Sequence, residues 1–301
     1  MSQTAAGLRH KIASAAELGA VVRTMKAMAA SSIGQYENAV QSLDEYYRTV
    51  QLGLAVCLRT SGPLQGTPAA QGRKAAIGAV VFGSDQGLVG QFNEDLLAFV
   101  VEHLGRLPGQ KVILAVGERI EGRLTEAGLP VGKAFALPNA IGAITPLVGH
   151  ILIELEARRE KGEISEVYLF HNSPRAGSLY DQVIQHLLPL DEAWRQQLAR
   201  EPWSTSRLPE VLNGIPQTLP AFLREFLFVS LFRGCAQSLA SENASRLAAM
   251  QRAEKNIAET MEILNRDFHR LRQSSIDEEL FDVVAGFEAL SGPQGSSGAQ
   301  S

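Results

Sequence analysis

The chain is poor in most of the residues that announce a chemistry. Only two cysteines occur in 301 residues, Cys57 and Cys235, which excludes a disulfide framework and a cysteine-based zinc site. Both are expected to stay reduced in a cytosol-like compartment. Aromatic residues make up 6% of the chain, while alanine and leucine are plentiful, a balance that favours long helices over a β sandwich. No apolar run reaches the roughly 18 residues that a membrane helix needs. Met1 to Gly7 is too short and too polar for a signal peptide, so direct membrane insertion is not expected. Charge of one sign is also lacking: 28 basic and 32 acidic residues give a net charge of −4, without the basic excess of a general nucleic-acid binder. The 45% of apolar residues suffices for a core. The length allows about two average domains or one large one.

Catalytic patterns are scarce too. The histidines are His10, His103, His150, His171, His186 and His269, and none forms the HxxxH or HExxH spacing of a metal site. No GxSxG elbow exists. No catalytic residue, cofactor or metal is expected. One loop stands out, Gly83-Ser84-Asp85-Gln86-Gly87-Leu88-Val89-Gly90, which follows a strand pattern and precedes a helix pattern. A phosphate cradle sits at such a place, but the spacing fits neither the dinucleotide fingerprint nor the P-loop. Ordinary turn chemistry is the competing reading. This loop alone supports an alternative in which the protein is an α/β nucleotide-binding enzyme with helical dimerisation arms.

What the chain has is periodicity. From Leu8 through Ile12, Ala15, Gly19 and Val22 to Val50, Leu54 and Cys57, apolar positions recur by alternate steps of four and three. Gly19 and Lys26 are the exceptions on a seam that repeats every 3.5 residues, as in a coiled coil. About 50 residues make a rod of roughly 75 Å. Pro63, Pro68 and three glycines then make Ser61 to Gly72 a linker. Apolar runs at 76–82, 111–116, 134–137 and 166–171 alternate with helical patterns, which predicts a mostly parallel sheet covered by helices. A further edge strand is expected at 183–190. Four prolines between Glu201 and Pro220 mark an irregular boundary. From Ala221 the helical pattern resumes to about Leu290, with Leu247, Met250, Glu254, Ile257, Met261, Leu264, Phe268 and Leu271 keeping a three-four spacing and a phase shift beyond it. The tail 291–301 has no large apolar residue and reads as disordered.

The expected fold is therefore α/β: a long antiparallel coiled coil of N- and C-terminal helices plus a central Rossmann-like α/β domain. Its divisions are an N-terminal shaft helix at 1–60, the α/β foot at 61–217, the C-terminal shaft helix at 218–290 and the tail. The second rod is the longer, so part of it projects alone or is covered by another protein. Cys57 and Cys235 fall near the end of one rod and the start of the other, where antiparallel pairing would set them at similar heights. Lys26 on the seam, with Arg23 before it, either snorkels or reaches an acidic partner. Arg246 to Arg272 holds six basic and four acidic residues, and Asp277 to Glu288 five acidic and none basic.

Several of these segments resemble one family in the right order. Ser238-Leu239-Ala240-Ser241-Glu242-Asn243-Ala244-Ser245-Arg246 is similar to the S-L-A-S-E-x-A-[SA]-R of F-type ATP synthase gamma subunits. Arg270-Leu271-Arg272-Gln273-Ser274-Ser275-Ile276 resembles their R-x-R-Q-x-x-I, and Ser84 to Asn93 their S-D-[RK]-G-L-C-G-x-[FLY]-N. Arg23-Thr24-Met25-Lys26 resembles their K-A-M-K. The resemblance implies a central-stalk rotor that couples proton or sodium flow to ATP synthesis or hydrolysis on beta subunits. It implies as partners the alpha and beta subunits of a hexamer, the epsilon subunit and a membrane ring of c subunits. It implies a non-catalytic, peripheral chain on the cytoplasmic face of a bacterial inner membrane. Carried over by position, Arg272 and Gln273 match a pair that hydrogen-bonds a beta-subunit loop. Glu242 and Arg246 match positions near the same region. Asp277 and Glu279 fall where polar residues couple to rotation, although Asp277 is commonly Thr. Arg23, Met25 and Lys26 match the segment facing beta. The usual basic K-L-R-R is replaced by Ser32-Ile33-Gly34-Gln35 and the usual Cys by Val89, departures that point to a divergent or alternative, sodium-coupled type.

Overall fold

In a computed structural model, residues 4–60, 76–175, 178–200, 209–212 and 214–290 are described. The linker at 61–72 and the tail at 291–301 lie outside them. The helices are α1 (Ala5–Thr60), α2 (Phe92–Arg106), α3 (Glu118–Glu126), α4 (Ile144–Glu160), α5 (Glu192–Arg200) and α6 (Ile215–Leu290). The strands are β1 (Ala76–Phe82), β2 (Lys111–Val116), β3 (Val131–Phe135), β4 (Ile164–Arg175) and β5 (Ser178–Leu188). Two compact units form, one from Ala27–Ala249 and the other from Met1–Lys26 with Met250–Ser301. Both terminal helices contribute to each.

The larger unit is built on one sheet of order β3-β2-β1-β4-β5. β1 pairs in parallel with β2 and β4, β2 pairs in parallel with β3, and β5 returns antiparallel on β4. The continuous apolar run of β1 is buried along its whole length because both faces of the sheet are covered. Ile77, Ala79 and Val81 face α2 and α3, packing with Leu96, Val100 and Leu124. Val80 and Phe82 face the other side, where α4, α1 and α6 supply Val148, Leu54 and Leu231. Burying each such side chain stabilises the fold by about 1.5–3 kcal/mol.

In this unit α1 and α6 run antiparallel. Gly53 meets Phe222, Tyr47 stacks on Phe226 at 5.9 Å, and Asp44 pairs with Arg233. The α6 stretch from Phe226 to Ala240 has no exposed residue, because α1 covers one side and the sheet another, which explains its apolar composition all round. The same order rules out the expected alignment of the cysteines. Cys57 lies beyond the Gly53–Phe222 crossing, whereas Cys235 sits near Tyr36 and close to the Asp44–Arg233 crossing. Both are buried and neither forms a disulfide. Burial pushes both thiols up from their ordinary range.

The smaller unit repeats the antiparallel pairing. Arg9 stacks over Phe268 at 5.3 Å, Gly19 packs on Ile257, and Lys26 reaches Glu254 at 2.7 Å. Thr4 starts α1 by accepting the Gly7 N–H on its hydroxyl at 3.2 Å, an N-cap. Every seam position expected on α1 is buried or half-buried.

Several boundaries differ from expectation: β3 is Val131–Phe135 rather than 134–137, β4 is Ile164–Arg175 rather than 166–171, and β5 ends at Leu188 rather than 190. α6 begins at Ile215, not near Ala221, and contains Pro220. Proline is tolerated in a first turn, where N–H groups have no helical acceptor, so Pro216 starts the helix rather than preventing it. Thr218 also donates its hydroxyl to Gly214 O at 2.8 Å. β5 extends back to Ser178, because its polar first half pairs with the end of β4 at the sheet edge, Ser178 with Arg175 and Asp181 with Ser173.

Candidate functional site: the strand-end crevice and the exposed end of α6

Strand order reverses at β1, with β2 on one side and β4 on the other. Doubly wound sheets hold their ligands in the crevice beyond the carboxyl ends of such strands. Here α6 fills it. A Cβ at Gly234 would lie 2.9 Å from Leu169 and 3.3 Å from the His171 ring, both on β4. Ser238 donates its hydroxyl to the carbonyl of Phe82, the last residue of β1, at 3.0 Å. Ser245 donates to Val89 O at 2.5 Å. Gly234, Ser238, Ser241 and Ser245 follow one another by four, three and four, so they form one stripe of the helix.

The Gly83–Gly90 loop is closed on itself. Ser84 N–H donates to Asn93 Oδ1 at 3.1 Å, Asn93 Nδ2 donates to Ser84 Oγ at 2.8 Å, and that hydroxyl donates to Gln86 O at 3.0 Å. The Asp85 carboxylate accepts the N–H of Glu118 at 2.9 Å and of Leu137 at 3.0 Å, tying β2's and β3's outgoing loops to this turn. Glu94 and Asp95 occupy the first turn of α2, where a phosphate would need positive potential. Tyr180 donates its phenol to Asp95 at 2.9 Å, and burial with that bond pushes the phenol up. The loop's polar atoms hold protein, and the nucleotide-enzyme alternative is not favoured.

His171 lies fully inside this crevice. Burial pushes its imidazole down to about 4, a shift only partly opposed by the Asn172 carbonyl. It folds neutral, so the unfolded chain takes up the proton first on acidification. Stability is unaffected above about pH 6.5 and falls between there and pH 4, by about 1.4 kcal/mol per pH unit from this one residue. Denaturant midpoints of His171→Phe are expected to fall less steeply than wild type over that window. Parallel curves would show that His171 does not carry the slope.

The predicted contact residues fall into separate settings. Arg246 Nη2 donates to Glu242 Oε1 at 2.6 Å within α6, and their side chains are only 13% and 7% exposed. Desolvation raises the Glu242 carboxyl, Arg246 opposes that, and nearby Asp85 adds to it. Lys26 is committed to Glu254, while Arg23 is exposed and Met25 half-buried. Arg272, Gln273, Asp277 and Glu279 are all exposed. Among the described residues none of these four has an ion-pair partner. From Arg272 to Phe287 every residue of α6 is exposed, because the helix has run past the start of α1. Phe281, Val283 and Phe287 are each more than 70% exposed, and Ile276 and Leu280 lie alongside. Clustered exposed apolar surface of this kind marks an interaction site.

A family model described as ATP synthase matches residues 4–290. The chain belongs to the ATP synthase family. Its relatives include the ATP synthase gamma chain of Acidovorax sp. (strain JS42), 27% identical over 291 residues, with 94% of this chain and 98% of that one covered. The gamma chain of Sinorhizobium fredii is 26% identical over 298 residues at the same coverage. Among solved structures, a chain of the Euglena gracilis mitochondrial ATP synthase (OSCP/F1/c-ring, rotational state 3) is similar with a TM-score of 0.65 at 14% identity, covering 99% of both chains. A chain of the Tetrahymena thermophila central stalk and c-ring is similar with a TM-score of 0.55 at 20% identity, covering 77% of this chain and 99% of that one.

For an ATP synthase chain, the two best-matching motifs have a structural meaning that sequence did not reveal. Ser84–Asn93 and Ser238–Arg246 meet through Ser245 and the Val89 carbonyl, while Ser238 binds the end of β1 at Phe82 just before the loop. The missed residues are Asn93, Asn172 (whose buried amide donates to Phe92 O at 3.1 Å), Gly234, Ser238 and Ser245. Gly234, Ser238 and Ser245 had a signal, a small-residue stripe in an otherwise bulky helix, whereas Asn93 and Asn172 had none of that kind.

Proposed function

We propose that this chain is the gamma-type central-stalk rotor of a rotary ATP synthase and is itself non-catalytic. Alpha and beta subunits surround its C-terminal helix end, the epsilon subunit and a membrane ring of c subunits engage the α/β unit, and ion flow through the ring turns it. Nucleotide chemistry belongs to the beta subunits. The chain works as a peripheral component at the cytoplasmic face of a bacterial membrane; no described helix is long and apolar enough to cross one. The observation that carries this reading is the exposed end of α6, where hydrogen-bonding and apolar groups share the same stripes. Arg272 leads to Ile276 and Glu279, and Gln273 to Asp277 and Leu280, by steps of four and three. Such a surface fits a surrounding sleeve that covers its apolar groups and pairs its polar ones. The Arg272 guanidinium suits a carboxylate acceptor bidentately, and Arg23 and Met25 offer a second contact. Glu242 and Arg246 act at one remove, by fixing α6.

The test is made on the assembled complex in vesicles. Arg272→Ala with Gln273→Ala is expected to lower ATP-driven ion pumping about ten-fold while leaving the melting temperature of the chain unchanged, since both side chains lie in solvent when it is alone. Undiminished coupling would remove their assigned role. Coupled pumping by a complex without this chain would remove the rotor reading.

A further inference from the structure

We propose that the Gly234–Ser245 stripe is the torsional anchor by which the α/β unit turns α6, with Ser238 and Ser245 as its positioning residues; the proposal rests on the rotor reading above. A helix twisted about its own axis is held only by contacts off that axis. Interdigitated apolar side chains resist roll by steric locking, and hydrogen bonds add to that lock a fixed angular register, which non-directional apolar attraction does not set. Hydrogen bonds to fixed carbonyls are directional and short-ranged. At roughly 4 Å from the axis, a roll of about 30° carries a hydroxyl about 2 Å and breaks its bond.

Both acceptors are held still. Phe82 ends β1, which is paired on one side with Val116 and on the other with His171. Val89 belongs to the turn that Asn93 and Asp85 lock. Ser238 and Ser245 are seven residues apart, about 10 Å along the helix, so two attachments resist tilt as well as roll. Gly234 supplies a third point, where the bare backbone presses on Leu169 and His171. All of these residues lie in the larger unit, and α6 continues without interruption to Leu290. Ser241 shares the stripe but donates to Gln237 of its own helix at 2.9 Å, so it adds no attachment.

The experiment compares ions pumped per ATP hydrolysed in the assembled complex. Ser238→Ala with Ser245→Ala is expected to lower that ratio about three-fold while hydrolysis continues, because the catalytic subunits still fire when the shaft slips. The control is Leu104→Ala, a cavity variant in α2 on the opposite face of the sheet, expected to melt earlier but keep the wild-type ratio. Should the double variant not assemble, Ser245→Ala alone is measured, with about a 1.5-fold fall expected. A wild-type ratio in the serine variants, in a complex that needs this chain to pump, overturns the anchor and leaves the rotor reading standing. An equal fall for Leu104→Ala also overturns it, because loss of stability would then explain both. Pumping without the chain overturns both readings together.

Discussion

Replacing Gly117 by alanine is expected to destabilise the α/β unit by about 3 kcal/mol or more, from positive-φ strain together with an overpacked contact. Gly117 has φ +117°, a conformation that side chains rarely adopt, and an added Cβ would lie 2.7 Å from Ser84 O. That neighbour is backbone and is held by its own bonds, the Ser84 N–H donating to Asn93 Oδ1 at 3.1 Å, and Gly117 is held as well. Arg119 N–H donates to Ser84 O at 2.9 Å, and Gly117 N–H itself donates to Phe135 O at 2.9 Å. Relief would have to move the turn beneath Ser238 and Ser245, so the damage reaches the seating of α6. Gly122, in the middle of α3, is the internal control, with nothing within 4 Å of its Cβ position. Gly122→Ala should stabilise by about 0.5–1 kcal/mol through helix propensity. Denaturant midpoints of the full chain measure both, and opposite signs are the expected outcome. A Gly117→Ala chain as stable as wild type would show that the turn yields easily.

Much of this fold was legible because its longest elements obey one rule each. The seam from Leu8 to Cys57 keeps its period without a break, and nothing on that seam is exposed. The runs AIGAVVF and KVILAV, short and bounded by turn residues, read as strands of a covered sheet, and they form β1 and β2. The positions that escaped sequence reading depend on what lies across space. Pro220 looked like a boundary because nothing local says that a helix has already begun at Ile215. Cys57 and Cys235 looked level because the register of two rods is set by contacts such as Gly53 on Phe222, not by distance from their ends. The Gly83–Gly90 loop stood where a phosphate cradle could sit but without its spacing, and the sequence showed its glycines without showing α6 packed against it. The exposed set Arg272, Gln273, Asp277 and Glu279 was placed by resemblance, and their exposure follows from the length of α6 beyond Leu271. Glu242 and Arg246 came from the same resemblance, yet each uses its charge on the other.

That pair carries the remaining large effect. Arg246→Met is expected to cost about 3–5 kcal/mol near neutral pH, the usual penalty for leaving a buried charge without its partner. The carboxylate left behind would face the Asp85 charge, which already disfavours ionisation of Glu242. The sign of the pH dependence follows. A carboxyl whose folded pKa is raised above its unfolded value binds more protons in the folded state, so stability is greater below the unfolded pKa and declines as pH rises through the folded one. Removing Arg246 raises that folded pKa further. The deficit of the variant relative to wild type should therefore be small near pH 5 and grow towards pH 8. Pairing it with Glu242→Gln removes the titrating group, and the double variant should regain much of the loss and show a deficit independent of pH. Midpoints at pH 5 and pH 8 for the single and double variants measure this. A single-variant deficit equal at both pH values would mean that the guanidinium contributes packing, through the stem that lies along α6, and that Glu242 is already neutral when folded.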